Sequence, residues 1–180
     1  MKVSKIINKV RTKTQDFNET KFSEYEVLFA INEANKAFRI VCMQELPNII
    51  SEELNGTLES GENTIPTTAS KVLKVVVDDK ELRQSKCNGF EIGYNDGIVI
   101  KVYPVPDKPV NYVVEVVGDV VELKQDDEIK LPDECIAFII DVAVNMLTGG
   151  DAITQSALED KLRYILGNYA PTSPFVKSYY

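Results

Sequence analysis

Apolar residues along this chain recur first at helical spacing, then in short β-rich runs, then at helical spacing again. A segment whose apolar positions repeat every three to four residues buries one stripe of a helix. Short runs of β-branched residues between turn formers bury the face of a strand instead. Neither period satisfies the other geometry, so the order helix, sheet, helix limits the chain to an α+β architecture.

Val3, Ile6, Ile7 and Val10 predict a short amphipathic helix over about residues 3–14. In "FSEYEVLF", Ser23 is a capping residue, Glu26 three positions later completes a capping box, and Phe22 and Val27 have the spacing of a hydrophobic staple. The apolar face of this second helix runs through Ile31, Ala34, Ala37, Phe38, Val41 and Cys42 until Pro47 stops it. Its length is about 22 residues, or roughly 33 Å.

From about residue 55 to 122 short β-rich runs alternate with turn residues, a meander or sandwich pattern. "KVLKVVV" and "ELRQ" flank Asp78, Asp79 and Lys80 as one hairpin, and "FEIGY" and "IVIKVYP" flank Asn95-Asp96-Gly97 as a second. "VNYVVEVVG" is a further strand. The "PVPDKP" segment before it has three prolines, which cannot donate ladder hydrogen bonds, so it reads as a rigid crossover.

Helical spacing returns in "LPDECIAFIIDVAVNMLTGG". Pro132 suits the first helical position, Asp133 and Glu134 complement the positive end of the dipole, and Gly149-Gly150 ends the helix. Asp151 is placed to cap a last helix that ends at Gly167. The expected architecture is a helical bundle of residues 1–50 and 123–169, an inserted antiparallel β module of residues 51–122, and an extended C-terminal arm of residues 170–180.

Chemistry-bearing motifs are missing. The chain has no histidine, which removes the usual general acid-base residue at neutral pH and the usual zinc ligand. Cys42, Cys87 and Cys135 are scattered and odd in number, so they read as ordinary thiols, two of them buried on helices. No nucleophile elbow, phosphate loop or dinucleotide fingerprint occurs. The carboxylates of "SEELNGTLESGE" and "ELKQDDE" are expected in solvated loops. No cofactor or metal is expected, and an acidic enzyme with an unrecognised carboxylate site is an alternative without motif support. No apolar run approaches the roughly 20 residues that cross a bilayer. The start of the chain has no signal-peptide pattern, so it reads as mature protein made in a cytoplasm. The sites at Asn18 and Asn55 are then chance matches to the glycosylation pattern.

A net charge of −8 opposes nucleic-acid binding, which needs a cationic surface. Lys2, Lys5, Lys9, Arg11 and Lys13 precede any acid; they form either a solvated helix face or a contact with an acidic partner.

The succession of "LESGENTIP", "KVLKVVVDDKELRQ", "GIVIKVYPVPDKPVNYVVEVVG" and "DDEIKLPDECIAFIIDVAVNMLTGGD" resembles the head-to-tail adaptor proteins of tailed bacteriophages, also called connector, ring or tail tubular proteins. The likeness covers roughly residues 3–168, and "YPVP" and "LPDE" are its most specific phrases. It implies a virion structural protein at the head-tail junction. Such a protein forms a ring of about twelve copies on the portal vertex and continues the DNA channel towards the tail. Its implied partners are the portal, neighbouring copies of itself and the next tail or ring protein, with DNA passing through without sequence-specific binding and no membrane involved. A tail completion or stopper protein is the nearest alternative.

In this reading "APTSPFVKSYY" is a portal-docking arm, with Pro171, Pro174, Phe175, Tyr179 and Tyr180 as its contact residues. The other possibility is that its aromatics fold back onto their own bundle. Burying three aromatics yields roughly 11 to 19 kcal/mol, and ordering about eleven residues costs roughly 11 to 22 kcal/mol. One arm breaks even, whereas a ring of arms on a symmetric partner gains from high effective concentration. A negative channel wall lets DNA slide, and Glu52, Glu53, Asp126 and Asp127 are expected to face the lumen or the next ring.

Overall fold

A computed structural model of the chain describes residues 1–94, 97–149 and 155–169. Among them are helices α1 (Val3–Lys13), α2 (Glu24–Glu45), α3 (Asp133–Thr148) and α4 (Gln155–Gly167), and seven strands in two antiparallel sheets. The chain is thus α+β. It divides into two units, one made of Met1–Ile49 with the chain from Val121 onward, the other of Ile50–Val120.

In the first unit the apolar stripes of the helices meet. Val3, Ile6, Ile7 and Val10 of α1, Val27, Ala30, Ile31, Ala34, Phe38 and Cys42 of α2, and Cys135, Ile136, Phe138, Ile139 and Ala143 of α3 are all buried. α3 packs on α2 and α1, with the rings of Phe38 and Phe138 6.3 Å apart, and Leu162 and Leu166 of α4 are buried as well. Ala37, expected on the buried face of α2, is exposed, and Asn35 is buried instead.

The capping box at α2 forms as the residue spacing implies. Ser23 Oγ accepts the Glu26 N–H at 3.2 Å, and the Glu26 carboxylate accepts the Ser23 N–H at 2.7 Å. The Ser23 hydroxyl also donates to the Glu26 carboxylate at 2.7 Å, and this bond, with that from the Ser23 N–H, holds the Glu26 carboxyl below its usual range. Pro132 is the N-cap of α3 and not its first helical residue. Its ψ of 148° is extended, which leaves Asp133 to open the helix. Gly149, with φ 59°, ends α3 in the left-handed region where a side chain is costly. Gly150, and Asp151 as the expected cap of α4, lie outside the described residues.

The second unit holds strands β1 (Glu52–Leu58), β2 (Thr64–Thr67), β3 (Lys71–Val77), β4 (Lys80–Glu81), β5 (Gly89–Tyr94), β6 (Ile98–Tyr103) and β7 (Val110–Val117). One sheet has the order β1-β7-β3-β4 and the other β2-β6-β5. Leu58, Val75, Val114 and Val116 of the first sheet share a core with Ile65, Phe90, Ile98, Ile100 and Val102 of the second. The "PVPDKP" segment joins β6 to β7 and so carries the chain from one sheet to the other.

β3 and β4 form the expected hairpin with a tighter turn. Val77 pairs with Lys80, so Asp78 and Asp79 alone make the bend, at φ 51° and 61°. Both angles are positive, as a two-residue type I′ connection requires. β5 and β6 pair as the second hairpin, and Asn95 and Asp96 of its turn lie outside the described residues.

β1 corrects the expected loop at "SEELNGTLESGE". The segment from Glu52 is a strand paired along its length with β7, from Glu52↔Val116 to Leu58↔Val110. Its residues are mostly polar and largely exposed, so the strand state comes from the partner's backbone and not from an apolar alternation of its own.

Candidate interaction surfaces

The arm residues Pro171, Pro174, Phe175, Tyr179 and Tyr180 lie outside the described residues. The chain leading to them is anchored. After α4, the Tyr169 hydroxyl donates to the Glu134 carboxylate in the first turn of α3. That hydrogen bond to an anion pushes the phenol up to about 12.

The four acids singled out in the sequence fall into both units. Glu52 and Glu53 are exposed on β1, and Asp126 and Asp127 are exposed in the irregular segment before α3. Glu53 stands directly opposite Glu115 of β7, whose other neighbour in register is Lys74 of β3. Glu115 accepts a hydrogen bond from Ser51 Oγ at 2.7 Å. The like charges of Glu53 and Glu115 across the ladder disfavour pairing, and the Lys74 ammonium on the far side is engaged at 3.2 Å by Glu81.

Asp127 shapes its own loop: its carboxylate accepts the Lys124 N–H at 2.7 Å and its carbonyl accepts the Val3 N–H at 2.9 Å. Asp126 is exposed beside it in the turn.

The basic residues of α1 do not act as one group. Lys2, Lys5, Lys9 and Lys13 are exposed, but Arg11 is buried, contrary to both readings of the row as a surface. Its guanidinium lies 2.6 Å from the Asp16 carboxylate and donates to the Phe22 carbonyl at 3.1 Å. Lys13 is also engaged, 2.5 Å from Asp141 of α3, which is paired at 3.2 Å with Lys161 of α4. Asp141, the one acid in the apolar run of α3, therefore ties three helices through two ammonium groups. These hold its carboxyl below the usual range against the opposing effect of burial, the largest single influence on it.

Cys42 and Cys135 are buried free thiols, pushed by desolvation up to about 12 and about 11, so both stay protonated and unreactive near neutral pH. Cys87 is a free thiol on the surface. Among the described residues no group of three or more Cys, Asp or Glu side chains is arranged to hold a metal ion. No helix among them is long and apolar enough to cross a membrane.

One surface was not foreseen from the sequence. On the outward side of α2, Tyr25 is 75% exposed and Phe29 51%, their rings stacked at 6.3 Å, and Ile40 lies further along the same stripe. The helical spacing of the sequence identifies the buried stripe; the signal for this second stripe is the Tyr25-to-Phe29 step of four residues, which returns to the same face.

No family model matches the chain, and no curated protein matches it.

Proposed function

We propose that this chain is a virion structural protein, a head-to-tail connector adaptor that forms a ring on the portal vertex and continues the DNA channel towards the tail. The observation that carries the reading is the chain order: a β unit of Ile50–Val120 set between two parts of one helical unit. That is the order the sequence resemblance implies. The "YPVP" phrase ends β6 and the "LPDE" phrase opens α3, so both of its most specific parts mark element boundaries.

In this reading α1 to α4 form a bundle and the two sheets form its inserted module. Residues 171–180 dock on the portal, leaving from the point where Tyr169 is tied to Glu134. The ring has about twelve copies, in keeping with closed cyclic symmetry. Exposed Glu52 and Glu53 or Asp126 and Asp127 face the lumen or the next ring, where negative charge keeps DNA mobile.

The test is electron microscopy of the chain mixed with portal rings from the same virus. Rings seated at the portal exit support the adaptor reading. Rings found only on tail tubes favour a stopper or tail completion protein, and no ring in either mixture overturns the proposal.

A further inference from the structure

We propose that Cys42 of α2 and Cys135 of α3 form a redox-responsive pair: a hydroperoxide oxidant joins their sulfurs in a disulfide that fastens the two helices together. The pairing needs neither a ring nor a portal.

The two helices run antiparallel. Arg163 of α4 lies 3.2 Å from Glu45, the last residue of α2, and Tyr169 just after α4 donates to Glu134 in the first turn of α3. The end of α2 and the start of α3 therefore lie at the same end of the helical unit. Between them the rings of Phe38 and Phe138 meet at 6.3 Å. Cys42 comes one turn after Phe38 and Cys135 one turn before Phe138, steps that lead in the same direction along an antiparallel pair. Both side chains are fully buried and free. The two thiols thus share one layer of the α2–α3 contact, and Cys135 adds to the dominant effect of burial in pushing the Cys42 thiol up.

Oxidation follows ordinary thiol chemistry. One thiolate attacks the peroxide, an S–O bond forms as the O–O bond breaks, and a sulfenic acid results. The second thiolate attacks that sulfur, the S–S bond forms, and the oxygen leaves as water after taking up a proton. The two thiols are oxidised and one peroxide is reduced. Burial keeps both sulfurs protonated near neutral pH, so the link forms slowly and faster as pH rises. The whole β unit, Ile50–Val120, lies between the two cysteines in sequence. The link therefore closes a long loop around that insertion, which restricts the unfolded chain and stabilises the folded one.

The test uses the full chain with Cys87→Ser, which removes the surface thiol, treated with hydrogen peroxide over the pH range in which circular dichroism shows the native fold. The expected result is that both remaining thiols disappear together, at a rate that rises with pH. The product is a monomer that migrates faster on a non-reducing gel, regains both thiols with a dithiol reductant and unfolds at a higher urea midpoint. Adding Cys42→Ala or Cys135→Ala abolishes this product. Thiols that stay free throughout that pH range, links formed only between chains, or a linked chain with a lower urea midpoint would each overturn the pairing.

Discussion

The Arg11 guanidinium meets the Asp16 carboxylate at 2.6 Å with both side chains withdrawn from solvent. The same carboxylate accepts the N–H groups of Thr20 and Lys21 at 2.9 Å and of Phe22 at 3.3 Å. The connection between α1 and α2 is therefore folded around one buried ion pair. The Asp16 charge is compensated by Arg11 and three backbone N–H groups, and the Arg11 charge by Asp16 and the Phe22 carbonyl, while its buried Nε, without a hydrogen bond, lies 3.7 Å from the Glu19 carboxylate. Because Ser23 follows directly, this loop also sets where the capping box of α2 begins.

Acid should loosen this loop. The backbone N–H of Lys21 is the largest influence holding the Asp16 carboxyl below its usual range, helped by Phe22, Thr20 and the Arg11 charge against desolvation. A carboxyl depressed in the folded state stabilises fully above its unfolded value, and the contribution is lost as pH falls through the folded value. Asp16→Asn should be less stable than the parent near neutral pH, and the difference should shrink on acidification. Urea denaturation across a pH series measures this; a constant difference would mean that ionisation of Asp16 contributes nothing.

The packing of α2 on α3 depends on Phe38, which is fully buried against Phe138. Truncation of a buried aromatic costs about 3–5 kcal/mol. Phe38→Ala is expected to lose stability on that scale in chemical denaturation. A loss under about 1 kcal/mol would show that the two helices repack around the vacancy.

The Asp78-Asp79 turn places two non-glycine residues at positive φ. Asn and Gly adopt these angles with less strain, so Asp78→Asn with Asp79→Gly should stabilise the β unit by about 0.5–1 kcal/mol. Thermal denaturation reads the change, and a fall in the midpoint would argue against a type I′ bend.

Deleting residues 171–180 is expected to leave the circular dichroism spectrum and melting temperature nearly unchanged while abolishing binding to portal rings. The physical ground is that Leu162 and Leu166 of α4 are already buried among the described residues. A large fall in melting temperature would assign the terminal aromatics to the protein's own core instead.

Legibility in the sequence followed the range of the forces involved. The capping box and the existence of both hairpins were readable because each is settled within a few residues, Ser23 with Glu26 and Tyr94 with Ile98 among them, although Lys80 pairs with Val77 rather than sitting in the turn. β1 was not readable, since "EELNGTL" alternates weakly and becomes a strand only because β7 supplies its hydrogen-bond partners. Arg11 looked like one more surface base because its partner Asp16 and the Phe22 carbonyl reach it through a folded loop.

By itself the sequence determined the class of the fold, the ends of α2 and the existence of the two hairpins, because capping, period and turn chemistry act between near neighbours along the chain. Only the tertiary structure decided which charges are buried, that a polar segment joins a sheet, and that Tyr25 and Phe29 remain on the surface. Those outcomes depend on groups far apart in sequence, and no local pattern records what a side chain meets after the chain has closed on itself.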